Sequence, residues 1–151
     1  MSSHIATEAQ ERTVRSFTVY GTPVGKGRPR FRNTGKFVQT YTPEKTANYE
    51  TLVKLAYQQE YGGEPLLAGA ISAKIIAYFP IPKSTSRKAK KEMLNGWHVK
   101  KCDADNLIKS ILDALNEVAY RDDSAVAKIY CEKRYSEMPR VEISLDIIPM
   151  E

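Results

Sequence analysis

The chain has 151 residues, 42% of them hydrophobic and 27% charged, with a formal net charge of +5. That size suits one domain with a modest core. No apolar run approaches the ~20 residues a bilayer-spanning helix needs, so no such helix is expected. The two cysteines, Cys102 and Cys131, fit neither a zinc pattern nor a disulfide framework, and a reducing cytoplasm is the expected setting.

Residues 1–13 are polar and lack the apolar core of a secretory signal, so they are read as a disordered leader, with a single domain over residues 14–151. Val14 to Tyr20 alternates and is β-rich, which predicts a strand. Gly21 to Gly35 is rich in Gly, Pro and cations and predicts a loop, with a short extended piece from Phe37 to Tyr41. Thr42-Pro43 supplies an N-cap and a first-position proline for a helix running to Tyr61, where Gly62-Gly63 stops it.

Ala70 to Phe79 predicts a second strand, ended by Pro80. Ser86 to Leu94 predicts a short basic helix closed by Asn95-Gly96, and Trp97 to Cys102 an extended run. From Asp105 to Val118 the spacing predicts an amphipathic helix. Leu107, Ile108, Ile111, Leu112 and Leu115 form its apolar face, and Asp105, Lys109, Asp113 and Asn116 fall opposite. Tyr120 to Ser124 reads as a turn. Val126 to Tyr135 and Arg140 to Ile148 alternate at hairpin spacing. The fold class is α+β (mixed α/β), a single sheet partly covered by helices.

The chemistry concentrates in Asp103-Ala104-Asp105-Asn106-Leu107-Ile108-Lys109 and in Asp122-Asp123. If residues 103–105 are extended, both carboxylates point one way, with Asp105 at the helix start. Lys109 lies one turn further on. A helix of that length is ~20 Å long, so the chain must fold back for Asp123 to approach Asp103 and Asp105. Hard carboxylate oxygens suit Mg²⁺, which keeps open positions for water and phosphate. Taken singly, each feature has a plainer reading: Asp103 or Asp105 as a cap, Asp-Asp-Ser as a turn, Lys109 as an i,i+4 partner of Asp105 or Asp113.

Gly25 to Arg32 places four cations, Lys26, Arg28, Arg30 and Arg32, within seven residues. Lys100 and Lys101 adjoin Asp103. A cationic surface beside a compact acidic cluster suits grip on a phosphate backbone beside metal-assisted hydrolysis. His4 and His98 have no convincing metal partner. Ser110 and Ser124 have no visible base, so a nucleophilic triad is unsupported. Mg²⁺ would not choose Cys102.

These motifs resemble a known signature. Asp103-x-Asp105-Asn106-Leu107-x-Lys109, Asp113-Ala114-Leu115-Asn116 and Tyr120-x-Asp122-Asp123-Ser124-x-Val126 resemble the acidic blocks of the RusA family of crossover-junction endodeoxyribonucleases. Gly21-x-Pro23-x-x-Lys26-x-Arg28-Pro29-Arg30 is similar to that family's opening basic loop. The resemblance runs from about Phe17 to Leu145. It implies a homodimer that resolves four-way (Holliday) junctions by paired nicks with Mg²⁺, or Mn²⁺ as a substitute. It implies Asp103, Asp105 and Asp123 as metal ligands and Lys109 as the catalytic lysine, and it leaves Asp122 without a fixed role. A two-fold enzyme also matches a substrate with two equivalent strands to cut. The chain departs from the family at Cys102, where proline is usual, and at Ala104, where a larger apolar residue is usual. Two other readings stay open: a catalytically silent branched-DNA-binding protein of phage origin, and a nuclease for other branched or single-stranded DNA.

Overall fold

The computed structural model describes residues 13–27, 30–33, 38–41 and 44–150. The strands are β1 (Val14–Tyr20), β2 (Arg30–Asn33), β3 (Val38–Tyr41), β4 (Ile71–Pro80), β5 (Val126–Ser136) and β6 (Arg140–Ile147). The helices are α1 (Glu44–Tyr61), α2 (Arg87–Met93) and α3 (Ala104–Ala114), with a short 3₁₀ turn at Asp123–Ala125. A four-stranded sheet has the order β1-β6-β4-β5, and β2 pairs with β3 in a separate two-stranded sheet. β6 is antiparallel to both β1 and β4, whereas β5 runs parallel to β4. The α+β expectation, one main sheet partly covered by helices, is borne out.

Alternation sets the two faces of the sheet. Ile71, Ala73, Ile75, Ala77 and Phe79 of β4 are buried on one face, beside Val141, Ile143 and Leu145 of β6 and Phe17 and Val19 of β1. Successive strand side chains point to opposite faces, so the residues between them face outward. Tyr49, Val53 and Tyr57 of α1 and Leu107, Ile111 and Leu112 of α3 are buried in the same core. Full burial of each such aliphatic side chain contributes about 1.5–3 kcal/mol. That term dominates the docking of α3, whose apolar and acidic faces are cleanly separated. Arg15 is also buried; its Nη1 donates to Tyr57 Oη at 2.6 Å and to the Pro65 carbonyl at 2.8 Å.

Three expectations are corrected. β5 and β6 do not form a hairpin, because β4 lies between them. Alternation reports which face a residue takes, not which strand is its neighbour. The connection from Ser136 to Arg140 reaches up to ~14 Å, enough to cross two strand spacings of ~5 Å each over the end of β4. The loop expected across residues 21–35 contains strand β2, held by pairing with β3. The third helix begins at Ala104 and ends at Ala114 rather than running to Val118. Glu117 takes a φ of 62°, and Tyr120 turns back to donate from its hydroxyl to the Leu112 carbonyl at 2.6 Å. The expected cap Thr42-Pro43 and nearly all of the leader lie outside the described residues.

The segment after α2 lines the edge of β5. His98 N–H donates to the Lys133 carbonyl at 2.9 Å, and Tyr135 N–H to the Gly96 carbonyl at 3.0 Å. This leads the chain from the sheet edge into Asp103 and the start of α3.

Candidate active site

α3 carries the acidic face. Asp103 is its N-cap in extended conformation, and its side chain makes no capping hydrogen bond. Ala104 is already helical, so Asp103 and Asp105 are not alternate residues of an extended strand, and Asp105 is not the cap but lies in the first turn. Both carboxylates are exposed. Lys109 and Asp113 follow Asp105 at helical spacing. Lys109 Nζ lies 3.3 Å from Asp113 Oδ2 and 3.4 Å from Oδ1, the i,i+4 pairing the sequence allowed.

The chain folds back after α3, as the distance argument required, but it brings Asp123 to Asp113. Burial first, then the hydrogen bond and negative charge of Asp113, raise the Asp123 pKa above the usual carboxylate value; Asp122 adds to the rise and Lys109 opposes it. Asn116 Oδ1 fixes this approach by accepting from Asp123 N–H at 2.8 Å. Asp122 turns to its own loop and accepts from Ser124 N–H at 3.0 Å. The Ser124 hydroxyl first, and then that backbone bond, hold its pKa below the ordinary value. Beneath the cluster, burial first and then Asp123, Asp113 and Asp122 push the Tyr120 hydroxyl far above its ordinary pKa.

Asp105 stands eight residues before Asp113, about 12 Å away along the helix axis. What the structure brings together is Asp123 and Asp113, and the expected meeting of Asp103, Asp105 and Asp123 around one cation stays a proposal. Among the described residues no group of three His, Cys, Asp or Glu side chains is arranged to hold a metal ion. The donor chemistry still fits a hard divalent cation. The available ligands are carboxylate oxygens, and Asp113 and Asp123 press against one another in a way that positive charge would relieve.

The loop at residues 21–27 is clamped onto this face. Ser110 Oγ, fully buried, bonds the Val24 carbonyl at 2.8 Å and the Leu107 carbonyl at 2.9 Å. The serine thus tethers the loop to α3. Lys26 N–H donates to the Asn106 carbonyl at 2.7 Å, and Gly27 N–H to Thr46 Oγ1 at 2.9 Å. At Gly25 a Cβ would lie 3.0 Å from Cys102 Cβ. Lys26 Nζ lies 2.6 Å from Glu50 Oε1 and 3.4 Å from Asp113 Oδ2. Burial acts to lower the Lys26 pKa, but the hydrogen bond and charge of Glu50, with Asp113, carry it above its ordinary value.

Beside the acidic face is a cleft of about 830 Å³, lined in part by Lys45, Phe79, Lys101, Cys102, Asp103 and Asn106. Lys100 and Lys101 are exposed. Arg30 and Arg32 sit on β2 opposite Tyr41 and Gln39, and Arg28 lies outside the described residues. His98 is buried, its ring stacked on Phe79 at 3.8 Å, far from a ligand role.

Sequence reasoning gave Glu50 no part and left Asp113 without a role. Asp113 was detectable as the i+4 partner of Lys109 on the polar face. Glu50 carries no local signal, because its tie to the site is made through a residue 24 positions earlier.

A comparison with protein families matches residues 20–146 to the model described as endodeoxyribonuclease RusA. A search of characterised and catalogued proteins finds similarity to the uncharacterized protein YqaN of Bacillus subtilis (strain 168). The two are 39% identical over 133 residues, covering 85% of this chain and 93% of that protein. With the family's acidic motif mounted on α3 and the match spanning most of the sheet, the chain belongs to the RusA endodeoxyribonuclease family.

Proposed function

We propose that this protein is a Mg²⁺-dependent endodeoxyribonuclease, with Mn²⁺ as a substitute, that resolves four-way DNA junctions by paired nicks. It acts as a homodimer in the cytoplasm of a bacterium or phage-infected host, with residues 14–151 as one endonuclease domain. The observation that carries the reading is the α3 face, where an ammonium lies 3.3 Å from a carboxylate that itself crowds a second one.

Asp103, Asp105 and Asp123 are the proposed ligands. These carboxylates would hold a divalent cation, which would supply activation of water and offset charge on the phosphoryl group. Lys109 would stabilise that charge, or the 3′-oxygen as its bond to phosphorus breaks. Arg28, Arg30, Arg32, Lys100 and Lys101 are proposed to grip the phosphate backbone, which fixes position without reading sequence. No helix among the described residues is long and apolar enough to cross a membrane.

The test is nicking of a synthetic four-way junction with Mg²⁺, with and without EDTA, beside Asp105→Asn. Loss of one proposed ligand of the cation should lower the rate about 100-fold or more, with junction binding retained. An Asp105→Asn protein that cuts like the wild type would refute the site. Binding without nicking in both Mg²⁺ and Mn²⁺ would return the silent-binder reading. Faster cutting of flaps, forks or single strands would return the third.

A further inference from the structure

Lys26 belongs by sequence to the basic loop, yet its ammonium does not face open solvent for a phosphate. It is four-fifths buried and lies between two carboxylates, Glu50 of α1 at 2.6 Å and Asp113 of α3 at 3.4 Å. Asp113 is in turn shared, with Lys109 Nζ at 3.3 Å from the same Oδ2. Three elements from distant parts of the chain thus form one alternating row: Glu50, Lys26, Asp113, Lys109. The backbone holds the row in place through the Lys26 and Gly27 N–H bonds to Asn106 and Thr46.

We infer that Glu50 and Lys26 are positioning residues, a charged strut that sets how tightly Asp113 holds Lys109. This rests on the nuclease reading proposed above. The reasoning is competition for one oxygen. Glu50 takes the short contact with Lys26, which leaves Asp113 Oδ2 available to Lys109. With Glu50 neutral, Lys26 swings fully onto Asp113, because a partly buried ammonium does not stay unpaired. Lys109 is then displaced. Lys26 accordingly acts through Asp113 and is not a phosphate contact.

Two roles for Lys26 give opposite results in Glu50→Gln. A strut predicts a single-turnover cleavage rate about tenfold lower, with the junction Kd within about twofold of wild type, the scale seen for residues that orient active groups. Glu50→Asp should recover part of the rate. Lys26→Met combined with Glu50→Gln should be no worse than the poorer single variant, because both break one unit. A tighter Kd in Glu50→Gln would mean that Lys26 had been freed to grip DNA, and would overturn the inference, as would an unchanged rate.

A second measurement needs no DNA. In protein carrying ¹³C-labelled lysine, the Lys109 ε-methylene NMR signal should shift in Glu50→Gln, although Glu50 forms no ion pair with Lys109. A Lys109 signal that stays in place overturns the strut whatever the protein does to DNA. A wild type that cuts no junction ends the nuclease reading and leaves the strut to be decided by this signal. Should Glu50→Gln fail to fold, Lys26→Met read by the same signal decides it.

Discussion

Replacing Gly25 by alanine adds one methyl group where the loop passes closest to the start of α3. The new Cβ would sit 3.0 Å from Cys102 Cβ, 3.2 Å from Asn106 Cβ and 3.2 Å from Cys102 Sγ. Carbon atoms are comfortable at about 3.5–4.0 Å, so the loop must move by roughly half an ångström. The obstructing Cβ atoms are rooted in backbone and cannot swing away. Overpacking of this kind costs about 1–3 kcal/mol. The alanine's smaller unfolded-state entropy returns about 0.4–1 kcal/mol. A net loss of about 1–2 kcal/mol follows, or roughly 2–8 °C in melting temperature for a chain of this length. Urea unfolding would measure it. Gly63→Ala is the control: a Cβ there meets nothing within 4 Å, so it should be neutral or stabilising by up to about 1 kcal/mol. The same shift draws Lys26 from the Asn106 carbonyl and Glu50, so junction nicking should fall in Gly25→Ala and not in Gly63→Ala. Equal midpoints and equal nicking for the two variants would refute the claim that the loop is pressed onto the site.

Ser110→Ala removes the tether from α3 to the Val24 carbonyl. The lost bond is worth about 0.5–1.5 kcal/mol and alanine's helix propensity returns a few tenths, so a loss near 1 kcal/mol is expected in urea unfolding; no loss would mean that the hydroxyl does not hold the loop. His98 gives a pH dependence. Its burial first, then Lys133 and Lys100, lower its pKa below the ordinary value, so below about pH 6.5 the unfolded chain binds the proton more readily. Stability from this group is whole above about pH 7 and falls as pH drops through the unfolded value. The slope of the urea midpoint between pH 7.5 and 5 should therefore be steeper in wild type than in His98→Gln. Equal slopes would refute it.

What the sequence disclosed depended on whether the partner was local. α3 was legible because Leu107, Ile108, Ile111 and Leu112 repeat at the helix period, and β4 because its apolar run ends at a proline. The Lys109–Asp113 pair was legible for the same reason, being one turn apart. Sheet order was not, since β6 finds its neighbours at β1 and β4 through shared burial rather than through the short connection before it. The role of Lys26 was not legible either: in a run with Arg28, Arg30 and Arg32 it reads as one more cation. Only the packing of α1 against α3 brings Glu50 and Asp113 to it. Asp103 and Asp105 were correctly seen as neighbours in sequence, but the start of α3 at Ala104 changes which way each points.

The sheet order has a consequence for synthesis on the ribosome. β6 is made after every other strand, yet it is an inner strand, pairing Val14 with Asp146 on one side and Ile71 with Ile147 on the other. Until it emerges, β1 lacks its ladder partner in the main sheet and β4 keeps one side open, both exposed edges that invite pairing with other chains. Contacts so distant in sequence also make this a slow-closing topology. The nascent protein therefore leaves these edges open until that late strand slots between them.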